Sequence, residues 1–235
     1  MNTPRVLLFD VFGTVVDWRG SISREVKSFA SERGLKLDAT AFADAWRAGY
    51  RPAMNRVRTG QLAWMNIDQL HRLILEEILA RFGIEGLSEA DTDHLNQVWH
   101  RLRPWPDSVR GLKTLKQKSI IATLSNGNML LLTDMARNAG LPWDCILSAE
   151  LFHHYKPDPE TYLGAAALFA ARPAEAMMVA AHEDDLVAAR ACGLRTAFVR
   201  RPREFGNRSG YDLPRDRGFD CVADEFLHLA SQLGA

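Results

Sequence analysis

The run Arg5-Val6-Leu7-Leu8-Phe9-Asp10-Val11-Phe12-Gly13-Thr14-Val15-Val16 decides the fold. Val6–Phe9 is apolar without polar alternation, the pattern of a strand covered on both faces, as in a parallel sheet with helices on either side. The strand ends on an acid, Asp10, followed by Gly13-Thr14, which can turn the chain and offer backbone N–H groups and a hydroxyl. Open α/β sheets bind their ligands at the C-terminal ends of strands. Asp10 is therefore the first candidate functional residue, although an acid there can also simply end a strand and cap a loop.

Working outward, the next 87 or so residues read as helix upon helix, as judged by apolar periodicity. Ser21–Arg33 places Ile22, Val26, Phe29 and Ala30 at helical spacing, and Asp38 can cap a helix through Arg58 with Phe42, Ala45, Trp46 and Tyr50 on one face. Leu62–Phe82 gives a third helix, and Ser88-Glu89-Ala90-Asp91 is a capping box for a fourth that reaches Leu102. Pro104-Trp105-Pro106 ends the series. From there strands alternate with helices: Ser108–Lys118, strand Ile120–Leu124, a helix through Ala139, a short strand Cys145–Leu147, helix Pro159–Ala171, strand Met177–Ala181, helix Asp185–Cys192 and strand Arg195–Val199. Arg200–Phe219 reads as loop and Phe226–Leu233 as a last helix. Such alternation implies right-handed crossovers and an α/β doubly wound, Rossmann-like parallel sheet. Residues 1–16 and 105–235 form its core, and residues 17–104 are inserted as a four-helix cap.

Lys plus Arg and Asp plus Glu both number 29, so the 235-residue chain carries no net charge. That gives no reason to expect a nucleic-acid or membrane-surface partner, and no apolar run approaches the roughly 18 residues that span a bilayer. Met1-Asn2-Thr3-Pro4 leads straight into a strand, so no signal peptide is expected. Cys145, Cys192 and Cys221 are odd in number and far apart, which suits reduced thiols and a cytoplasmic location.

Four further clusters could carry chemistry. Ser125-Asn126-Gly127 follows a strand and precedes a helix, where hydroxyl, amide and backbone N–H groups can bind an anion, although the tripeptide is also an ordinary turn. Lys156-Pro157 also follows an apolar strand, with Tyr162 six residues after the lysine. Arg47 follows Trp46, and Arg51 lies one helical turn later on the same face. Ala180-Ala181-His182-Glu183-Asp184-Asp185 places an imidazole at a strand end beside three acids. There it could accept a proton from water near neutral pH, or merely orient its neighbours.

Taken together, these residues resemble the haloacid dehalogenase superfamily and, over nearly the whole chain, its type II L-2-haloacid dehalogenases. The resemblance implies that Asp10 is the nucleophile, with Lys156 beside it. It further implies that Arg47 receives the leaving halide, expelled toward it and Asn126, and that Asp185 positions or activates water. Arg51, one turn on, could serve with Arg47 by its spacing, although the family tends to have an apolar residue there. His182 falls where the family has an asparagine, and Asp184 where it has an aromatic. On the same reading Ser125 and the backbone N–H groups of Val11, Phe12 and Thr14 hold the substrate carboxylate, and Tyr162 joins that site. Phosphatases of the superfamily carry a second aspartate where this chain has Phe12. That acid protonates an alkoxide, and a halide needs no proton.

The expectation is therefore hydrolysis of short 2-haloalkanoic acids with inversion at C2. The partner is a small molecule, and no cofactor is expected. No metal is expected either, because the position that would supply a further metal carboxylate is Ala181. The family suggests a homodimer. A magnesium-dependent phosphatase, a phosphonate hydrolase or a binding protein on the same scaffold remain alternatives.

Overall fold

In a computed structural model, which describes residues 3–206 and 218–235, strand β1 (Val6–Phe9) is buried along its whole length. Its side chains alternate: Leu7 and Phe9 join the apolar cluster on one face of the sheet, Val6 and Leu8 the cluster on the other. A two-residue ribbon follows, in which β2 (Val16–Asp17) runs antiparallel to β3 (Arg103–Pro104). The chain thus leaves and rejoins the sheet region at one place.

Between the two arms of the ribbon lie α1 (Trp18–Glu32), α2 (Ala39–Arg58), α3 (Ile67–Arg81) and α4 (Glu89–Asn96), the last continued by a 3-10 turn over Gln97–Arg101. Each helix starts at a polar cap that satisfies orphan N–H groups. Asp17 accepts from Gly20, and Asp38 from Thr40 and Ala41. Asn66 and Ser88 form capping boxes with Gln69 and Asp91. Asp17 starts α1 three residues before the expected Ser21, and the Asn66 box starts α3 five residues after the expected Leu62.

After the ribbon come α5 (Ser108–Leu115), β4 (Ile120–Thr123), α6 (Met129–Ala139), α7 (Pro159–Leu168), β5 (Ala176–Ala180), α8 (Glu183–Ala191), β6 (Arg195–Val199), β7 (Cys221–Ala223) and α9 (Phe226–Gln232). The five-stranded sheet is parallel throughout, in the order β4-β1-β5-β6-β7. Cys145–Leu147 is not a strand, since only Cys145 bridges to Ala122. Strand β7 is an addition to the expected elements. Of the stretch read as loop, residues 207–217 lie outside the described residues, and Arg201–Gly206 forms turns. The three cysteines are unpaired, and among the described residues no helix is long and apolar enough to cross a membrane.

The apolar cluster on the Leu7 and Phe9 face continues without a break through Val11, Phe12 and Trp18 into Trp46 and Trp99 of the inserted helices. The helical insertion and the sheet therefore share one core, and the loop after β1 is the seam between them. Leu8, fully buried on the opposite face, should be worth what a close-packed leucine is worth. Leu8→Ala is expected to lower stability in urea denaturation by about 2–5 kcal/mol. A loss below about 1 kcal/mol would mean that the sheet is less tightly packed than described.

Candidate active site

Strands β4, β1 and β5 are neighbours, and Phe9 stands opposite both Thr123 and Val179. The residues just past these positions therefore emerge together at the C-terminal edge: Asp10, then Ser125-Asn126, then Ala181-His182. The loop after Asp10 turns at Gly13, whose φ of +85° lies in the left-handed region. A Cβ there would also sit 2.1 Å from Oε1 of Glu204, so the glycine makes room for a buried carboxylate as well as for the turn.

Asp10 is held from three sides. Lys156 Nζ donates to Oδ1 at 3.0 Å, Thr14 Oγ1 donates to Oδ2 at 2.7 Å, and His182 Nδ1 lies 3.0 Å from the same Oδ2. Thr14 is itself fixed by the Ala181 N–H, which donates to its hydroxyl at 2.9 Å. Lys156 reaches the site because its backbone N–H donates to Asn126 Oδ1 at 2.7 Å. Its ammonium also donates to Asp185 Oδ2 at 2.5 Å, while Tyr162 Oη donates to Asp185 Oδ1 at 2.6 Å. On the far side of the imidazole, His182 Nε2 lies 3.0 and 3.1 Å from the Glu204 carboxylate oxygens, and Trp18 Nε1 donates to Glu204 Oε1 at 3.0 Å.

These contacts set the charges. Burial alone would raise the Asp10 carboxyl, but Lys156, His182 and Thr14 hold it well below the usual carboxylate range. Lys156 is pushed up against the effect of its burial by Asp10 and Asp185, so it stays an ammonium. Asp185 moves the other way. Burial, with Asp10 close by, raises it against the opposing pull of Lys156 and Tyr162. His182 is raised to about 10, because Glu204 and Asp10 outweigh its desolvation. Of the two roles open to His182 from the sequence, proton acceptor or orienting group, these contacts favour the second. An imidazolium flanked by two carboxylates has no lone pair to offer water.

A cleft of about 1270 Å³ separates the sheet edge from α2, with Asp10, Phe12, Arg47, Met54, Asn126, His182 and Glu204 among its lining residues. Arg47 lies with its guanidinium carbon 4.6 Å from the centre of the Tyr50 ring, and its Nη1 is buried with no hydrogen-bond partner among the described residues. An unpaired buried donor costs about 1–3 kcal/mol, so this side of the cleft is built for an anion. Phe12 packs edge-on against Tyr50 and Trp99, with His71 behind them. His71 is wholly buried, and burial together with nearby Arg47 pushes its pKa well below the ordinary histidine value.

Several predicted residues take other places. Arg51 does not join Arg47; it pairs with Asp184 at the mouth of the cleft, and its side chain is 75% exposed. Ser125 is fully buried, does not line the cleft, and accepts the Gly127 N–H on its hydroxyl at 3.1 Å. Thr14 and Tyr162 are engaged with Asp10 and Asp185, so both position other side chains. Val11 is buried in the core, and what it and Phe12 can offer is backbone. Neither of their N–H groups donates to an acceptor among the described residues. Asn126 faces the cleft with its Nδ2 3.4 Å from Met54 Sδ.

Glu204 was missed altogether. It lies in a stretch whose Arg, Pro and Gly content reads as loop, and nothing local marks it. Arg201 places it by pairing with the buried Asp107 at 2.9 and 3.0 Å and donating to the Thr14 carbonyl at 2.8 Å. Among the described residues no cluster of three His, Cys, Asp or Glu side chains is arranged to hold a metal ion. The cation between Asp10 and Asp185 is the Lys156 ammonium.

A desolvated, ionised aspartate at the edge of a parallel sheet, beneath inserted helices, defines a Rossmann-like α/β scaffold with a carboxylate at the centre of its site. The chain belongs to the haloacid dehalogenase-like hydrolase family, whose model matches residues 4–193. A solved structure of a defluorinating L-2-haloacid dehalogenase is 44% identical, covers 100% of this chain and 99% of its own, and superposes with a TM-score of 0.97. An (S)-2-haloacid dehalogenase of Xanthobacter autotrophicus is 27% identical over 84% of this chain and 75% of its own length. A phosphoglycolate phosphatase of Neisseria meningitidis serogroup A is 31% identical over 83% of this chain and 80% of its own.

The charge of His182 can be read directly. In long-range nitrogen-15 spectra both ring nitrogens should carry protons at about pH 8, with deprotonation setting in only toward pH 10. A neutral imidazole pattern at about pH 8 would contradict the described contacts.

Proposed function

We propose that the protein is an (S)-2-haloacid dehalogenase that hydrolyses short 2-haloalkanoic acids to 2-hydroxy acids through an ester on Asp10. The observation that carries this reading is an asymmetry across the cleft. On one side stands an ionised, desolvated carboxylate; facing it are the Arg47 guanidinium, stacked on Tyr50 with one buried Nη1 that has no hydrogen-bond partner among the described residues, and the apolar surface of Phe12. The leaving-group side thus supplies a cation and no acid. Halide is a leaving group that departs without a proton, whereas an alkoxide released from a phosphate ester requires one.

The steps follow from the groups in place. The substrate carboxylate rests on the N–H groups of Val11 and Phe12. An Asp10 oxygen attacks C2 from the face opposite the halogen, the carbon–halogen bond breaks, and the halide leaves with the electron pair toward Arg47 and Asn126. Backside attack inverts C2. Lys156 holds the nucleophile ionised and in place. Water then attacks the ester carbonyl carbon and gives its proton to Asp185, the carboxylate whose pKa is raised. Asp185 returns that proton to the departing 2-hydroxy acid oxygen. Asp10, left as an acid, loses its own proton to solvent because its pKa lies so low.

The phosphatase similarity gives the second reading its weight. Magnesium favours an octahedral shell of oxygens, and the donor set beside Asp10 does not fit one. Position 181 is alanine, and a lysine ammonium lies between the two carboxylates.

Halide release from L- and D-2-chloropropionate decides between the readings. The L substrate is expected to turn over to D-lactate, with activity unchanged after exhaustive dialysis against EDTA. Asp10→Asn is expected to fold normally and lose halide release on the order of 10³-fold or more. Activity that returns only on adding magnesium, or faster turnover of a phosphate ester than of any haloacid, would establish the phosphatase instead.

A further inference from the structure

The two oxygens of Asp10 are not equivalent. Oδ1 accepts one hydrogen bond, from Lys156, and keeps a lone pair for attack. Oδ2 faces two donors, Thr14 Oγ1 at 2.7 Å and His182 Nδ1 at 3.0 Å. A carboxylate oxygen with both lone pairs engaged is the poorer nucleophile, so Oδ1 attacks C2 and Oδ2 becomes the carbonyl oxygen of the ester. When water adds to that carbonyl, Oδ2 is the atom on which negative charge develops. Thr14 and His182 already stand at the separations that suit an oxyanion hole, about 2.7–3.1 Å.

We infer that Thr14 and His182 form the oxyanion hole of the hydrolytic half-reaction, and that Glu204 is the positioning residue that keeps the His182 donor cationic. This rests on the dehalogenase reading and adds to it a division of labour between the two oxygens. Glu204 is 2% exposed and orients the imidazole from behind, with its own carboxylate held by Trp18 Nε1. A buried carboxylate opposite a donor already bonded to the nucleophile has no use in expelling halide, which leaves on the Arg47 side. Its charge matters when the second charge appears, on Oδ2. In that step water forms a C–O bond to the ester carbon, the carbonyl π pair moves onto Oδ2, and the water proton passes to Asp185. Collapse returns the pair and expels the hydroxy acid oxygen, which takes the proton back. His182 keeps its proton throughout.

The test is Glu204→Gln, with rapid-quench halide release on L-2-chloropropionate and intact-mass detection of the Asp10 ester. The first-turnover halide burst should keep its amplitude. Steady-state turnover should fall roughly 10- to 100-fold, as a charged donor is replaced by a neutral one, and the ester should accumulate. His182→Gln, which keeps a donor without the charge, should behave alike. The double variant should be no slower than either single one, because Glu204 acts through His182. Burst and steady state falling together, no ester accumulating in either variant, or additive losses in the double variant would overturn the inference. A wild-type protein that releases no halide from any 2-haloacid would instead remove the dehalogenase reading, and this inference with it.

Discussion

The ammonium of Lys156 lies between two buried carboxylates, 3.0 Å from Asp10 and 2.5 Å from Asp185, and the rest of the site is arranged around that contact. Taking three charges out of water is costly, and the cost is offset only where the geometry is good and the remaining lone pairs are satisfied. Here Thr14, His182 and Tyr162 supply the other donors. Removing the lysine would leave the two buried carboxylates without their shared cation, a loss of about 3–5 kcal/mol by analogy with broken buried pairs. The sheet order makes the contact possible. With β4, β1 and β5 side by side, Asn126 can hold the Lys156 backbone while Asp10 and Asp185 approach from the neighbouring strand ends.

The inserted helices complete what the sheet begins. Continuity of apolar packing from Phe9 through Phe12 to Trp46 and Trp99 fixes α2 and α3 above the site. That packing brings Arg47 to the cleft, with its Nη1 buried and without a hydrogen-bond partner among the described residues. Polar links tie the two halves together as well. Arg58 donates to Asp158 at 3.0 Å beside the Lys156 loop, and His100 lies 2.9 Å from Asp134 on α6 and 3.1 Å from Asp68 on α3. Individually such exposed or half-buried pairs contribute little, about 0–1 kcal/mol. Their effect is to align surfaces that the apolar core already holds together. Burial of Asp10, Lys156 and Asp185 strengthens the charge interactions among them.

What could be read from sequence follows from the range of the interactions. β1 and the acid that ends it are legible because four consecutive buried residues leave a local pattern. The helix starts at Asp38 and Ser88 are legible for the same reason, since caps are local. Lys156 and Arg47 carry no such mark; resemblance to a family, rather than periodicity, picks them out. The charge of His182 could not be read, because Glu204 stands 22 residues away in a stretch with no regular pattern. Arg51 and Arg47 share a helix face by spacing, yet Asp184 across the cleft takes one of them. The short strands err in both directions. Cys145–Leu147 has strand-like composition but a single bridge, whereas Cys221–Ala223 is too short to show periodicity and forms a strand through its pairing with β6.

The central claim is that Asp10 attacks carbon and that water attacks Asp10. A single turnover in oxygen-18 water, with enzyme in excess over L-2-chloropropionate, separates this from direct displacement by water. The account predicts unlabelled oxygen in the first lactate formed and one labelled oxygen in the peptide that carries Asp10. Label in the first lactate, with Asp10 unlabelled, would contradict it.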